Sequence, residues 1–527
     1  MSRLGLLICL AMVTALSIAD ASAAKERSQV IIALDGEGKH LAKWRLDNAY
    51  PSDLLLSPIY ARAEIADGQV TWREIADDHF AISVRLEIAG FGDLWLVADN
   101  EGRGYVASPR PLNLMYEVAR SRLAQVRQVQ RSAAGAGCKL EPSTRERMEK
   151  AAAQLRAAEA LSASPADCAQ LAYRSLQESG PAGEEAVLQE ARFRIQRHGY
   201  RPEFRFGANA FGWSHGEPYR KRFEELLSFG TVPFYCSSLE PKQGEYEWAS
   251  RDQITAWLNG AGITAKGHPL VWFYPGITPD WVRKLTFEQL LSWIDQRTRT
   301  IVSRYAGKID IWDIINEAHV QNTLNLTLDQ MVQANRVVAK AAREANPKCV
   351  RIVNNCCLFA EYMRGRKAGP DLNVCTPYQY LQRIQRARVP YEVIGLQLYY
   401  TGRDLLEHAR LLDRFCKFGK PVHVTELAVP SSMDADPASF WKDENAVRNM
   451  GWWRRPWDEQ VQADWIDGFY TICYSRPQVQ AITWWDFADY SGHFFPNGGF
   501  LRSDFTPKAS FDRLKALIAS WKELPKH

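Results

Sequence analysis

Two glutamates in this 527-residue chain close apolar, strand-like runs. One run is Trp312-Asp313-Ile314-Ile315-Asn316-Glu317, and the other is His423-Val424-Thr425-Glu426. A carboxylate at the end of an apolar strand is costly unless it has a partner or a task. Taken singly, each reads as readily as a structural ion-pair partner. Set across one cleft, the two could flank a glycosidic bond, one protonating the leaving oxygen and the other attacking or stabilising the anomeric carbon. A third polar strand end, Lys266-Gly267-His268-Pro269-Leu270-Val271-Trp272, could join them.

Elements that could bring these ends together are legible from residue 204 onward, where strand-like and helix-like segments alternate. The strand candidates are 204–209, 232–239, 264–272, 309–317, 349–356, 393–400, 421–428 and 481–489. Helical stretches such as 285–305, 328–345, 403–417 and 459–475 lie between them. Eight such units predict an α/β fold, a (β/α)8 TIM barrel over 199–524, with chemistry at the C-terminal strand ends. The alternative is an open doubly wound sheet, which would normally carry a glycine-rich phosphate loop after its first strand; none is present here.

Two further regions precede the barrel. Residues 27–108 carry short strand-like runs, among them Val30–Leu34, Ala81–Leu86 and Asp93–Val97, and predict a small β-sandwich-like domain. Its tryptophans, Trp44, Trp72 and Trp95, are either core or a carbohydrate-binding face. Residues 109–198 are rich in strong helix formers and predict a connector of about three helices, broken near Gly135 and near Ser164-Pro165. Residues 1–23 read as a signal peptide, with Arg3, an apolar stretch from Leu4 to Ile18 and a small-residue cleavage site at Ala21-Ser22-Ala23. This predicts a secreted or periplasmic protein with no membrane association after cleavage.

Composition narrows the classes further. A net charge of +4 without a basic stripe argues against a nucleic-acid partner. Loss of Cys9 with the signal leaves nine of the ten cysteines, which cannot all pair. Cys138 and Cys168 share one helical region and are a possible disulfide; several others lie in apolar runs and read as buried thiols. No His/Cys cluster suggests a metal, and no cofactor is expected. The 18 tryptophans suit both core packing and stacking on sugar rings.

Several motifs, in order, resemble those of glycoside hydrolase family 10, the endo-β-1,4-xylanases, over roughly residues 200 to 520. Glu240-Pro241 with Gly244 resembles the loop after the second strand. Lys266–Trp272 resembles RGHTLVW, Trp312–Glu317 resembles WDVVNE, and Val424-Thr425-Glu426-Leu427 resembles ITEL. Ile394-Gly395-Leu396-Gln397 resembles the sixth strand, and Ile482-Thr483-Trp484-Trp485 with Asp489 the eighth. Pro507-Lys508-Ala509 with Phe511 and Leu514 resembles the closing PKPAYDAL helix.

The resemblance implies Glu317 as acid/base and Glu426 as nucleophile, with carboxyls about 5–5.5 Å apart. Asn316 would hold the sugar 2-hydroxyl, His268, Trp272 and Gln397 would line the same subsite, and Trp485 would stack beneath the ring. Lys266 and Tyr399 join this substrate-binding set. The chain departs from the family where a second-strand Asn and Lys hold the next sugar: Val232 and Tyr235 stand there, with Cys236 for the Trp. Phe273 and Pro275 replace a His and a Gln, Tyr399 replaces a His, and Ala428 replaces an Asp. The second tryptophan of the eighth-strand loop gives way near Gly492-His493. Trp452, Trp453 and Trp457 could rebuild a subsite or simply pack their loop.

The expected function is retaining hydrolysis of internal β-1,4 linkages of xylan by a monomer acting on polysaccharide or oligosaccharide. The alternatives are the same mechanism on another β-linked glycan, or a retired barrel that only binds glycans.

Overall fold

Eight parallel strands close into a barrel: β1 (Arg205–Asn209), β2 (Phe229–Pro233), β3 (Thr264–His268), β4 (Ile311–Asn316), β5 (Val350–Asn355), β6 (Val393–Tyr399), β7 (Val422–Ala428) and β8 (Val479–Trp484). The computed structural model describes residues 27–367 and 373–526. Each strand is followed by a helix: α1 (Glu217–Leu226), α2 (Ala249–Gly260), α3 (Phe287–Arg304), α4 (Leu328–Ala345), α5 (Pro377–Arg386), α6 (Leu405–Cys416), α7 (Glu459–Tyr474) and α8 (Ala509–Lys522). The helix starts are written locally. Thr286, Thr327 and Thr376 each accept from the backbone N–H three residues on, and Gln289, Gln330 and Gln379 reach back to cap α3, α4 and α5 reciprocally.

Every residue of β4 and β7 is buried, as expected of parallel strands covered on both faces. Phe229, Ile311, Ile352, Val393 and Ala481 form an apolar plug from the early residues of five strands. Most of the buried polar side chains of the site lie above this plug, toward the C-terminal end of the strands. Close strand approach is strict at Gly267, where an added Cβ would lie 2.1 Å from the Trp312 ring.

The expected barrel is present, with one strand displaced. The second strand was expected at 232–239, but β2 ends at Pro233 and Cys236–Leu239 is a helical turn. Pro233 cannot donate a ladder hydrogen bond, and the Phe229-Gly230-Thr231 segment upstream pairs with both β1 and β3 instead. The eighth strand also stops earlier than expected, at Trp484, because Asp486 turns into the left-handed region with φ +65°.

The chain divides into two compact units, one formed by Val187–Leu358 with Gly369–His527 and containing the barrel. The other, Met1–Ala186 with Phe359–Ala368, is described over 27–186 and 359–367. It holds two small sheets. In the first, Arg62–Ala66, Gln69–Arg73, Gln29–Ile32 and Leu112–Asn113 lie in that order. In the second, Ala81–Ile88 lies between Gly92–Ala98 and Tyr50–Ser52. Helices Leu114–Gly135 and Pro142–Ala160 follow, and a third, Pro165–His198, runs on into the barrel unit. Trp72 is core, whereas Trp44 is 46% exposed beneath the Arg45 and Arg85 guanidiniums.

Cys138 and Cys168 are both buried and are not joined to each other, so the disulfide considered for them is not formed. None of the nine cysteines among the described residues is in a disulfide, and of these only Cys357 is exposed. The expected signal peptide and cleavage site, within residues 1–23, lie outside the described residues. No described helix is long and apolar enough to cross a membrane.

Candidate active site

β-Bulges shape the site. The β4–β5 register shifts between Asp313 and Ile315, and the β6–β7 register shifts between Leu396 and Gln397. Beyond these shifts Asn316 lies opposite Asn354, and Gln397 opposite Glu426. A bulge re-aims the side chains that follow it, and here the re-aimed residues are the polar ones. Glu317 then leaves the strand path with φ +53°, a left-handed conformation that costs a non-glycine residue about 1–2 kcal/mol. Its backbone N–H is held by the Asn354 carbonyl at 2.9 Å.

Three amides join the two glutamates. Gln397 Nε2 donates to Glu317 Oε1 at 2.9 Å and to Asn316 Oδ1 at 3.2 Å. Asn354 Nδ2 donates to the same Asn316 oxygen at 2.8 Å and to Glu426 Oε1 at 2.9 Å. Each NH2 group thus uses both of its hydrogens, which fixes the amide orientations. Thr425 Oγ1 donates to Asn354 Oδ1 and locks that amide from behind. With its oxygen doubly occupied, Asn316 turns its NH2 toward Glu317.

Each carboxylate has its own further donor. Trp272 Nε1 donates to Glu317 Oε2 at 3.2 Å, and the Tyr399 hydroxyl donates to Glu426 Oε2 at 2.6 Å. Burial pushes Glu317 up to about 7, against the hydrogen bonds from Gln397 and Trp272. Burial, reinforced by the Glu317 charge, also raises Glu426 well above the usual carboxylate range; the Tyr399 hydrogen bond and the Lys266 charge oppose it.

Beneath the pair lies a buried charged layer. Lys266 Nζ and His268 Nδ1 both meet Asp313 Oδ2 at 2.7 Å. Burial raises Asp313, but Lys266 and His268 outweigh it and hold the carboxyl below its ordinary value. Burial lowers His268, so its ring is neutral at pH 7. With Nδ1–H donated to Asp313, Nε2 is an acceptor 3.9 Å from Glu426 Oε1.

Aromatic rings wall the cleft. The Trp485 ring lies 5.3 Å from both His268 and Phe211, and Tyr235 lies 5.6 Å from His268 and 5.8 Å from Trp272. Tyr274, more exposed, stacks on Trp272 at 4.8 Å.

The structure thus gathers Glu317, Glu426, Asn316, His268, Trp272, Gln397, Tyr399 and Trp485 at one end of the barrel. Lys266 is fully buried below them with its ammonium on Asp313, so its influence on the glutamates is electrostatic. Val232 is fully buried and offers no polar group. Trp453 and Trp457 are buried, Trp457 bonded to the Gly451 carbonyl, which settles these two as packing.

Asn354, Thr425, Asp313 and Asp486 were overlooked in the sequence. Asn354-Asn355 at the end of an apolar strand carries the same signal as the glutamates, a polar group at a buried strand end. Asp486 follows Trp485 directly; it accepts from Asn209 Nδ2 at 3.2 Å and from the backbone of Phe494 and Phe495. Among the described residues, no group of three or more His, Cys, Asp or Glu side chains is placed to hold a metal ion.

The profile of glycosyl hydrolase family 10 matches residues 234–511, more than half of the chain. Endo-1,4-beta-xylanase B of Thermotoga neapolitana is 23% identical over 334 residues, covering 60% of this chain and 87% of the relative. Endo-1,4-beta-xylanase A of Phanerodontia chrysosporium is 29% identical over 224 residues, covering 40% of this chain; the match spans only 51% of that relative. Native xylanase 10B from Thermotoga maritima aligns in structure with a TM-score of 0.46 and 19% identity, covering 64% of this chain and 99% of that one. With the family profile spanning both carboxylate-bearing strands, the chain is a glycosidase that belongs to glycosyl hydrolase family 10.

Proposed function

We propose that this protein hydrolyses internal β-1,4 linkages of xylan with retention of anomeric configuration, Glu426 acting as nucleophile and Glu317 as acid/base. The observation that carries this reading is the buried amide bridge holding both carboxyl groups at one barrel mouth. The two buried carboxyls share one proton near neutral pH. That proton belongs on Glu317, because Glu426 alone receives a 2.6 Å O–H donor and the favourable field of Lys266.

In the first step Glu317 protonates the glycosidic oxygen while Glu426 attacks the anomeric carbon and forms a glycosyl ester. Ester formation removes the negative charge facing Glu317, whose pKa then falls. It can now take a proton from the incoming water and release the sugar. The Asn316 NH2, oriented by two amide donors on its oxygen, is set to bond the sugar 2-hydroxyl. His268 Nε2 is set to accept from a second hydroxyl, Trp485 to stack beneath the ring, and Trp272 and Gln397 to hold Glu317.

The aromatic wall of Phe211, Tyr235 and Trp485 favours a second reading, the same mechanism on a different β-linked glycan. The Tyr235 hydroxyl makes no hydrogen bond among the described residues and can donate to a sugar, but Val232 cannot. Discrimination between sugars rests on such buried polar contacts. We also take the protein to be exported by the apolar leader, and to act as a monomer since one chain supplies the whole site; N-terminal sequencing and sedimentation of the mature protein test these two points.

The experiment is reducing-end release from a panel of β-glycans, with NMR of the first-formed anomer, for wild type beside Glu426→Ala. Xylan cleavage giving the β-anomer and vanishing in the variant is the expected result. An α-anomer, or activity that survives in Glu426→Ala, would overturn the mechanism. Activity confined to another glycan would overturn xylan and leave the mechanism standing.

A further inference from the structure

Phe440 is 65% exposed, yet the backbone that carries it is firmly held. Its N–H donates to the His493 carbonyl at 2.6 Å, and the Gly492 N–H donates to the Ala438 carbonyl at 2.8 Å, tying the loop after β7 to the loop after β8. A buried ion pair fastens the same junction: His493 Nε2 lies 2.8 Å from Asp436 Oδ2, which also accepts from the Asn497 N–H at 2.8 Å. An apolar ring held rigidly in water forgoes about 1.5–3 kcal/mol of burial. A mobile loop could hide it; this one cannot.

The ring is also continuous with the active site. Phe440 stacks on Phe494 at 6.3 Å with 22° between the planes. Phe494 lies 5.1 Å from Tyr399, whose hydroxyl holds Glu426. Phe494 is fixed in turn by its backbone N–H on Asp486, and Trp441 braces it edge-on at 5.3 Å. An aromatic path thus runs from the nucleophile to the surface along two loops.

We infer that Phe440 and Phe494 form a sugar-stacking subsite that extends the cleft along the β7 and β8 loops for a long polysaccharide chain. The apolar face of a pyranose matches an exposed aromatic face, and stacking would bury the surface that the loops hold open. A chain occupying the cleft reaches this platform without a further binding event. The inference rests on the glycosidase reading above, and chain length separates the two.

The test compares wild type, Phe440→Ala and Phe440→Trp on an aryl xyloside or xylobioside, on xylohexaose and on polymeric xylan. We expect kcat/KM on the aryl glycoside to be unchanged in Phe440→Ala, to fall about tenfold on hexaose and polymer, and to recover in Phe440→Trp. An unchanged value on the long substrates overturns the subsite. An equal fall on the aryl glycoside overturns it too, as a general disturbance of the site. Wild type that cleaves nothing overturns the hydrolase reading instead, and the subsite is then judged by retardation in xylan-containing native gels. There Phe440→Ala must lose retardation relative to wild type, and equal mobility rejects the proposal.

Discussion

The Tyr399 hydroxyl reaches across from β6 to donate to Glu426 Oε2 on β7 at 2.6 Å. Among the departures from the family pattern this one strengthens the site, since a phenol donates one short, charge-assisted bond to a carboxylate. Removing it should raise Glu426 further, because the bond favours the anion. Tyr399→Phe is expected to move the acidic limb of the pH–kcat/KM profile to higher pH by about 1–2 units, and to lower the plateau about tenfold or more. A reduced plateau with the limb unmoved would mean that Tyr399 acts through packing alone.

Substitution of the acid should be felt according to the leaving group. Gln397 and Trp272 donate to different oxygens of Glu317, so Glu317→Gln keeps an acceptor for one of them and has no proton to give. Cleavage of xylan is expected to fall by roughly 10²–10⁴-fold. An aryl glycoside with a good leaving group needs no protonation in the first step, so its glycosyl ester should accumulate as a kinetic burst. Equal losses on both substrates would reassign Glu317 to binding.

The same substitution makes a stability prediction with a defined sign. Burial sets the folded pKa of Glu317 at about 7, above the unfolded value of about 4.3. The folded state therefore binds this proton more tightly. The stabilisation is full below about pH 4 and is lost as pH rises through about 7. Glu317→Gln escapes that loss, so above pH 7 it should be more stable than wild type by roughly 3–4 kcal/mol, with little difference near pH 4. Denaturant midpoints across that range measure it, and a gap independent of pH would refute the assignment.

Lys266 and Asp313 are both fully buried and 2.7 Å apart, with His268 on the same carboxylate oxygen. Lys266→Met leaves that carboxylate without its cation and should cost about 3–5 kcal/mol in chemical unfolding. Adding Asp313→Leu should restore much of it, because two apolar groups need no compensation. A double variant no better than the single one would show that packing, not charge, is what Lys266 supplies.

The amide bridge should be sensitive at its backbone. A Cβ at Gly395 would meet Asn354 Oδ1 at 2.6 Å. Gly395→Ala is therefore expected to displace Asn354 from Glu426 and lower kcat by about tenfold, read as turnover at saturating substrate, with KM little changed. Turnover at the wild-type level would mean that the bridge tolerates the shift.

Much of the site was legible because buried strand ends make polar residues conspicuous. Glu317, Glu426, Asn316, His268 and Gln397 each end or follow an apolar run, and the alternation of strands with capped helices sets eight of those ends around one mouth. Asn354 carried the same signal and was passed over, since an amide draws less notice than a carboxylate until its two partners are known. The second strand was misplaced because Pro233 and Phe234 extend an apolar run past the point where Pro233 removes the ladder donor.

By itself the sequence marked eight alternating units and two carboxylates at the ends of apolar strands, because periodicity and strand-end polarity are local properties of the chain, and the resemblance to glycosyl hydrolase family 10 singled those two carboxylates out. Only the tertiary structure decided which groups act on those carboxylates. The bulges that re-aim Asn316 and Glu426, the single Asn354 amide shared between Asn316 and Glu426, and the Lys266–Asp313 layer beneath join residues from β3, β4, β5 and β7, and Gln397 on β6 closes the bridge. Their hydrogen bonds and fields depend on distances of a few ångströms between strands far apart in the chain, and no local pattern encodes such distances.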